Sequence, residues 1–173
     1  MKILITGGHL TPALALIDKL TDSGGGVDIV FVGRKYAVDS EQTLSLEYKE
    51  ITKRNIRFLP LQTGRLTRMI SFRSALGILR VPIGFIRAFL IVQKEHPKLI
   101  FSFGGYIALP IAISGWLMHI PVFTHEQTIA PGIANRIIAF FSQKIFYSFP
   151  DTKHLFPAAK AVFSGNHENF PAR

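Results

Sequence analysis

Residue types suited to acid–base and phosphate chemistry occur in two short segments of the 173-residue sequence. The first is Thr6-Gly7-Gly8-His9, and the second is Gly104-Gly105-Tyr106. Glycines carry no side chain, so backbone N–H groups beside them can approach an anion at a helix N-terminus. His9 could take a proton from a hydroxyl nucleophile or hydrogen-bond a phosphate. The simpler alternatives are tight Gly-Gly turns and a histidine that caps a helix.

A third polar segment, His125-Glu126-Gln127-Thr128, is followed by Asn135. It supplies titratable and hydrogen-bonding groups, or else a buried polar cluster that ties loops together. His125-Glu126 lacks the second histidine of an H-E-x-x-H zinc site, and no carboxylate cluster appears, so we expect no metal. Because the chain has no cysteine, thiolate metal sites and a cysteine nucleophile are excluded.

The loop after the first apolar run does not have the G-x-G-x-x-G spacing of a dinucleotide-binding fingerprint. Arg34 and Lys35 also stand where that motif needs an acidic ribose ligand, at the end of the second run. We therefore expect no bound cofactor.

The elements that must position these segments are short apolar runs alternating with helical patterns. Strands are predicted at 2–5, 27–32, 56–61, 99–103, 120–123, 144–149 and 161–164, and helices at 13–20, 40–53, 106–118 and 131–141. This alternation predicts an α/β, Rossmann-like, doubly wound parallel sheet of about six or seven strands, as one domain over residues 1–173. The polar segments all follow strands, where such sheets bind ligands.

Residues 99–125 contain no Asp, Glu, Lys or Arg, so a transmembrane helix is an alternative for this stretch. Glycines and prolines at 104, 105, 110, 115 and 121 divide the stretch into strand, helix and strand. Because buried parallel strands also read as continuous apolar runs, we favour the sheet.

The chain is strongly basic, with a net charge of +9 and a pI near 10.1, which indicates an anionic partner. Its basic residues alternate with Leu, Ile and Phe, which favours an anionic membrane surface over nucleic acid. A hydrophobic content of 48% with 18% charged residues excludes a disordered chain.

The clearest membrane candidate is the segment 66–95, where basic residues recur every seven positions. Pro82 predicts a short helix before it and a longer helix over 82–94. One interpretation is a core helix with solvated arginines, and the other is an apolar face ringed by cations on a membrane. We favour the second, with these membrane-contacting residues: Arg73, Leu79, Arg80, Phe85, Ile86, Arg87, Phe89, Lys94 and, as an interfacial anchor, Trp116.

Three motifs together resemble the N-terminal domain of the MurG family, the peptidoglycan N-acetylglucosaminyltransferases of glycosyltransferase family 28. The motifs are Thr6-Gly7-Gly8-His9 with Pro12-Ala13-Leu14-Ala15, then Phe103-Gly104-Gly105-Tyr106, then Ile120-Pro121-Val122 with His125-Glu126-Gln127, Pro131-Gly132 and Asn135. This sequence has a shorter first glycine loop than the family, Thr128 in place of an asparagine, and Gly165-Asn166-His167-Glu168-Asn169 in place of G-N-P-V-R.

The resemblance implies the N-terminal half of a GT-B fold and an inverting, UDP-N-acetylglucosamine-dependent hexosyltransferase. The implied acceptor is undecaprenyl-diphosphate-linked N-acetylmuramoyl pentapeptide, at the cytoplasmic face of the plasma membrane. It also implies that the donor-binding C-terminal domain is absent from these 173 residues, so we expect acceptor and membrane binding with poor catalysis by this chain alone.

The same resemblance implies roles for the polar residues. His9 is the candidate base. Acceptor diphosphate and donor-side loop contacts are assigned to Thr6, Gly7, Gly8, Gly104, Gly105 and Tyr106, and substrate orientation to His125, Glu126, Gln127, Thr128 and Asn135. Two other functions stay open: a non-catalytic membrane-recruiting subunit of a two-chain glycosyltransferase that acts on another lipid-linked sugar, and a different nucleotide-sugar or dinucleotide enzyme.

Overall fold

The computed structural model describes residues 1–37, 43–62 and 74–165, with side chains for all of these except 74–80. Within these ranges seven strands form one parallel sheet in the order β3-β2-β1-β4-β5-β6-β7. The strands are β1 Lys2–Thr6, β2 Asp28–Gly33, β3 Arg57–Pro60, β4 Leu99–Ser102, β5 Val122–Glu126, β6 Lys144–Tyr147 and β7 Ala161–Phe163. The predicted doubly wound parallel sheet is confirmed.

Helices cover both faces of the sheet. They are α1 Leu10–Asp22, α2 Leu46–Lys53, α3 Ser74–Glu95, α4 Gly105–Leu117 and α5 Ile133–Phe141, followed by a 3-10 helix, Pro150–Leu155. One apolar core joins the sheet to α1 and α2, and a second joins it to α3, α4 and α5. The chain therefore forms three layers.

Strand residues alternate between these two cores. Leu4 packs in the α3–α5 core, whereas its neighbours Ile3 and Ile5 pack in the α1–α2 core. Because both faces are covered, each strand is apolar on both sides, which explains the uninterrupted apolar runs in the sequence.

Helix α4 accounts for the uncharged stretch. It packs between α3 and α5, and most of its residues are buried, including Ile107, Ala108, Ile111 and Ala112. Such a helix is apolar on nearly every face because it has almost no solvent side. Among the described residues, no helix combines the length and the apolar character that crossing a membrane requires.

Two predicted helix boundaries are wrong. Helix α3 is continuous from Ser74 to Glu95, with Pro82 inside it. A proline removes one backbone hydrogen bond and can bend a helix without ending it, and burial of Ala88 and Val92 in the core offsets that loss. Helix α2 begins at Leu46, because Ser45 accepts a hydrogen bond from the Tyr48 N–H as its N-cap. Residues 38–42 lie outside the described ranges.

A buried ion-pair cluster fixes the amino edge of the sheet, where the strands begin. The Glu95 carboxylate, 3% exposed, ends α3 and lies between β1 and β3. It accepts hydrogen bonds from both terminal nitrogens of Arg57, at 3.0 and 2.8 Å, and from Lys2 Nζ at 3.2 Å. These contacts tie α3 to the start of two strands.

Candidate functional site

The strand order reverses between β1 and β4, which are neighbours although α1 and α4 lie on opposite faces of the sheet. Thr6 at the end of β1 is in register with Ser102 at the end of β4. The first and second glycine segments therefore lie side by side at the carboxyl edge, where the strands end. Open α/β sheets bind ligands at this switch point.

His9 is held by the neighbouring strand end. Its backbone N–H donates to the Phe103 carbonyl at 3.2 Å, and its ring Nδ1 lies 3.1 Å from the same oxygen. A carbonyl oxygen only accepts, so Nδ1 carries the proton in this hydrogen bond. In the neutral ring Nε2 is then the unprotonated nitrogen, which is the atom that can take a proton from a substrate hydroxyl.

The close approach of the two loops requires glycine. A Cβ atom built on Gly8 would overlap the carbonyl oxygens of Phe103 and Gly104. Gly104 has φ 81° and ψ −167°, a backbone conformation that side-chain-bearing residues essentially never adopt. The side-chain amide of Asn135 also occupies the place of a Cβ at Gly104.

A hydrogen-bond network joins the second and third polar segments. The Gly105 N–H donates to Asn135 Oδ1 at 2.9 Å, and Asn135 Nδ2 donates to Glu126 Oε2 at 2.6 Å. The other oxygen of Glu126 accepts from the N–H and the hydroxyl of Thr128, at 2.8 and 2.6 Å. Glu126 is 1% exposed, so this network positions loops, as the polar-cluster interpretation of the sequence expects.

His125 and Gln127 share Ser148 as a partner. The Ser148 hydroxyl donates to Gln127 Oε1 at 3.1 Å and lies 3.3 Å from His125 Nε2. His125 is buried, with its ring 5.6 Å from that of Phe103. It therefore supports the loops from inside, while Gln127 lies partly at the surface.

Most of the glycine N–H groups expected to hold a diphosphate already have protein partners. Gly7 donates to the Val32 carbonyl at 3.0 Å and Gly104 to Ser102 Oγ at 3.1 Å, while Gly105 donates to Asn135. The Gly8 N–H donates to no described residue, and the buried Thr6 hydroxyl has no hydrogen-bond partner there either. An anion at these loops would meet Gly8 and the first turns of α1 and α4.

Glu47 belongs to this site, and the sequence prediction missed it. Its Oε2 accepts the Arg34 N–H at 2.9 Å, and its Oε1 lies where a side chain at Gly7 would stand. Burial raises the pKa of the Glu47 carboxyl, against the opposing effect of the Arg34 hydrogen bond and charge. One sequence signal was available: Glu47 lies four residues before the buried Ile51, on the same face of α2.

The predicted membrane residues fall into three groups. Arg73 lies outside the described residues, as do the side chains of Leu79 and Arg80. Phe85 is half-buried, so less of its side chain is available to a membrane than the sequence predicts. The side chains exposed on α3 and α4 are Ile86, Arg87, Phe89, Lys94 and Trp116.

The exposed apolar surface is wider than the sequence predicted. It also includes Ile83 and Leu90 on α3, Leu117 on α4, and Ile133, Ile137 and Phe140 on α5. Helices α3 and α5 both pack against α4, and the Trp116 ring lies 5.0 Å from that of Phe141. We call these residues, with Ile86, Phe89 and Trp116, the outer apolar face.

Comparison with known proteins places the chain in a family. Residues 6–147 match the glycosyltransferase family 28 N-terminal domain. Two curated relatives, from Treponema denticola and Staphylococcus haemolyticus, are each 34% identical over 164 and 168 residues. Both are named UDP-N-acetylglucosamine–N-acetylmuramyl-(pentapeptide) pyrophosphoryl-undecaprenol N-acetylglucosamine transferase. The matches cover 93% and 95% of this chain but 42% and 45% of the relatives, so the chain spans less than half of their length.

Solved structures agree with the fold. Acinetobacter baumannii MurG matches 99% of this chain and 46% of its own, with a TM-score of 0.70 and 22% identity. A putative UDP-N-acetylglucosamine 2-epimerase from Listeria monocytogenes matches 95% of this chain and 44% of its own, with a TM-score of 0.67 and 9% identity. These likenesses confirm the predicted fold class, the N-terminal half of a GT-B fold.

Proposed function

We propose, since the chain belongs to glycosyltransferase family 28, that it binds the acceptor in an N-acetylglucosaminyl transfer. The donor would be UDP-N-acetylglucosamine and the acceptor undecaprenyl-diphosphate-linked N-acetylmuramoyl pentapeptide, the substrates in the names of its relatives. The observation that carries the proposal is the orientation of His9. Its Nδ1 donates to the Phe103 carbonyl, which leaves Nε2 as the unprotonated nitrogen of the neutral ring.

The chemistry of this step is an inverting displacement. The acceptor hydroxyl oxygen attacks the anomeric carbon of N-acetylglucosamine, its proton passes to His9 Nε2, and the bond from that carbon to UDP breaks. General-base catalysis typically contributes about 10²–10⁴-fold to such a rate. The Phe103 carbonyl keeps the ring in the required tautomer, and it stabilises the positive charge that the ring gains.

The Glu126 network positions rather than reacts. Glu126 holds Asn135, and Asn135 holds the Gly105 N–H, so the start of α4 is fixed beside the loop that carries His9. Since the carboxylate oxygens are already occupied by Asn135 and Thr128, we assign Glu126 to the support of the acceptor loops. The Gly8 N–H and the N-termini of α1 and α4 would then face the acceptor diphosphate.

We assign the donor nucleotide mainly to a second domain, on the same or a separate chain. The end of β2 carries Arg34 and Lys35 at the sequence position of an acidic ribose ligand, and the Glu47 carboxylate that reaches this strand end already accepts the Arg34 N–H.

The outer apolar face would bind the anionic inner leaflet of the plasma membrane. Apolar contact contributes about 25 cal/mol per Å² buried, independently of salt. Arg87 and Lys94, exposed on the same helix, add an attraction of about 1 kcal/mol each that salt screens. Ile86 is 62% exposed and Phe140 75%, so apolar area is available on both α3 and α5.

A transfer assay tests the enzymatic part of the proposal. Radiolabelled UDP-N-acetylglucosamine and a lipid-linked acceptor are incubated with the chain alone, and with the chain plus a donor-binding domain as a fusion or separate protein. We expect label in the lipid fraction only when the donor domain is present. Turnover by residues 1–173 alone would refute the proposal that acceptor binding and donor binding belong to different domains. Vesicle binding without transfer under either condition would favour the membrane-recruiting subunit instead.

Vesicle cosedimentation tests the membrane part. We expect Ile86→Asp with Phe140→Asp to weaken binding at all salt concentrations, and Arg87→Glu with Lys94→Glu to weaken it mainly at low salt. Lys19→Glu with Lys49→Glu is the matched control, because both lysines are exposed on α1 and α2, which cover the opposite face of the sheet. Equal binding by all variants would contradict the assignment.

A further inference from the structure

A second feature of the carboxyl edge is a basic pocket of about 260 Å³ beside the first turn of α4. Three of its lining residues are basic: Arg34 and Lys35 follow β2, and Arg87 comes from α3. Gln62 follows β3, and Tyr106 lies in the first turn of α4. The pocket is smaller than the roughly 300–1,000 Å³ typical of sites for drug-sized ligands, so its size suits a headgroup.

These three cations are not neutralised by ion pairs. None of them lies within ion-pair distance of a carboxylate among the described residues. Aromatic rings hold two of them instead: the Arg34 guanidinium is 5.8 Å from the ring centre of Tyr106, and Lys35 Nζ is 5.5 Å from that of Tyr36. A cation held against a ring keeps its full charge, so it stays available to an anion.

The backbone that carries two of the cations is fixed before any ligand arrives. The Ser45 hydroxyl donates to the Arg34 carbonyl, and the Ser45 N–H donates to the Lys35 carbonyl at 2.9 Å. The Arg34 N–H donates to Glu47. Arg34 and Lys35 are also half-buried, unlike ordinary surface cations. Less conformational entropy is lost on binding when the binding groups are already ordered.

We propose that this pocket binds a diphosphate group. Three positive charges against the single carboxylate of Glu47 favour a ligand with at least two negative charges, and a guanidinium matches the geometry of phosphate oxygens. The start of α4 adds the positive end of a helix dipole. The inference rests on the proposed function only for the source of the diphosphate. A lipid-linked acceptor diphosphate at the start of α4 would reach into this pocket through Tyr106, whereas a soluble diphosphate would bind here separately from the acceptor.

Calorimetric titration of the chain with inorganic diphosphate tests the pocket directly, with inorganic phosphate as the weaker comparison. Arg34→Gln, Lys35→Gln and Arg87→Gln should each weaken the diphosphate Kd about fivefold, the factor for about 1 kcal/mol per cation. Rising salt should weaken the parent more than the variants. Lys144→Gln, which removes an exposed cation at the opposite edge, should leave the Kd unchanged.

Two outcomes would overturn the proposal: unchanged binding by the double variant Arg34→Gln with Lys35→Gln, or an equal loss in Lys144→Gln. Should the double variant lose its circular dichroism spectrum, Arg87→Gln decides alone, because Arg87 is exposed on α3 and anchors no loop. Since no donor or transfer is involved, failure of the sugar-transfer assay leaves this test unaffected.

Vesicles distinguish the two sources. Neutral vesicles with and without a polyprenyl diphosphate are compared, so that the apolar contribution to binding is common to both. Tighter binding to the vesicles that carry the diphosphate, lost on addition of inorganic diphosphate and reduced in Arg87→Gln, assigns the pocket to the lipid-linked diphosphate. Equal binding to both kinds of vesicle while the calorimetric binding persists assigns it to a soluble diphosphate, and both results support a diphosphate pocket.

Discussion

The two edges of the sheet differ in whether their basic side chains are paired with carboxylates. At the amino edge, Lys2 and Arg57 converge on the buried carboxylate of Glu95, and the charges neutralise one another. At the carboxyl edge, Arg34, Lys35 and Arg87 line one pocket and form no ion pair with a described carboxylate. Neutralised charges hold elements together, whereas uncompensated charges attract a ligand. The comparison separates the residues that stabilise this fold from those that we propose bind a ligand.

The carboxyl edge itself combines both kinds of group. Its Glu126 network is satisfied internally, since Asn135 and Thr128 take up the carboxylate oxygens. Beside it, the Gly8 N–H and the Thr6 hydroxyl have no partner among the described residues. A rigid, satisfied frame therefore holds unsatisfied groups in place, which is the arrangement that a preorganised site needs.

The largest effect is expected at His9. In the chain supplied with a donor domain, His9→Ala should lower kcat about 10²–10⁴-fold with a small change in the KM for acceptor, because a general base acts mainly in the transition state. Steady-state kinetics measure both constants. His154→Ala, at an exposed histidine of the 3-10 helix, should match the parent. A kcat within a few-fold of the parent would make His9 a structural loop residue.

The next largest effect is expected at the amino edge. Glu95→Ala leaves Arg57 without its carboxylate and Lys2 with Asp28 alone, at 3.7 Å, and should lower the free energy of unfolding by about 3 kcal/mol. That is the low end for a broken buried pair, since Arg57 is half exposed. Urea denaturation measures the loss. Diphosphate binding at the carboxyl edge should not change. If the folded variant also lost diphosphate binding, the two edges would not act independently.

The alternation of strands and helices was predictable from the sequence. The contacts between the loops at the ends of the strands were predictable only in part. Apolar runs bounded by glycine identify β1 and β4, and α/β topology then places their loops together. The pairing of Asn135 with the Gly105 N–H depends on where α5 lies relative to α4, which local patterns do not encode. Glu47 was missed because it lies inside a predicted helix, and the contact of that helix with the first glycine loop is not encoded in the local pattern.

The position of Pro82 shows a second reason for the differences. From local sequence preferences alone, a proline predicts the end of a helix. Packing of the helix against a core can, however, compensate for the one missing hydrogen bond. The width of the outer apolar face was likewise hidden, because Ile133 and Phe140 resemble core residues until the neighbours of α5 are known.

An intermediate effect is expected where the two glycine segments touch. Gly8→Ala should lower the free energy of unfolding by about 1–3 kcal/mol, because its Cβ meets backbone carbonyls that cannot rotate away. Displacement of the Phe103 carbonyl should also weaken the orientation of His9 and so reduce kcat. Gly132→Ala is the control, since a Cβ there meets no atom within 4 Å and its φ of −65° suits any residue. Equal denaturation midpoints for both variants would contradict the close packing of the loops.

The smallest expected effect concerns the carboxyl group of Glu47, which is partly buried at the carboxyl edge. Burial raises the pKa of Glu47 above its usual 4.5, so the folded chain retains a proton that the unfolded chain has lost. The parent therefore loses stability as pH rises from about 4.5 through the raised pKa, and Glu47→Gln does not. Urea denaturation midpoints measured across this pH window should rise for the variant relative to the parent as pH increases. Above the raised pKa the difference between the two midpoints should be constant.

Glu50, on the same helix, supplies a control of opposite sign. Its pKa is lowered, chiefly by the hydrogen bond from Lys53, so its contribution to stability is present above pH 4.5 and disappears as pH falls through the lowered pKa. The stability of Glu50→Gln should therefore decrease relative to that of the parent as pH rises, whereas the stability of Glu47→Gln should increase relative to it. Opposite slopes from two carboxylates one turn apart would separate a charge buried at the site from a charge paired at the surface. Parallel slopes would mean that Glu47 is no more buried than its neighbour, and the contrast between the two edges would then rest on the cations alone.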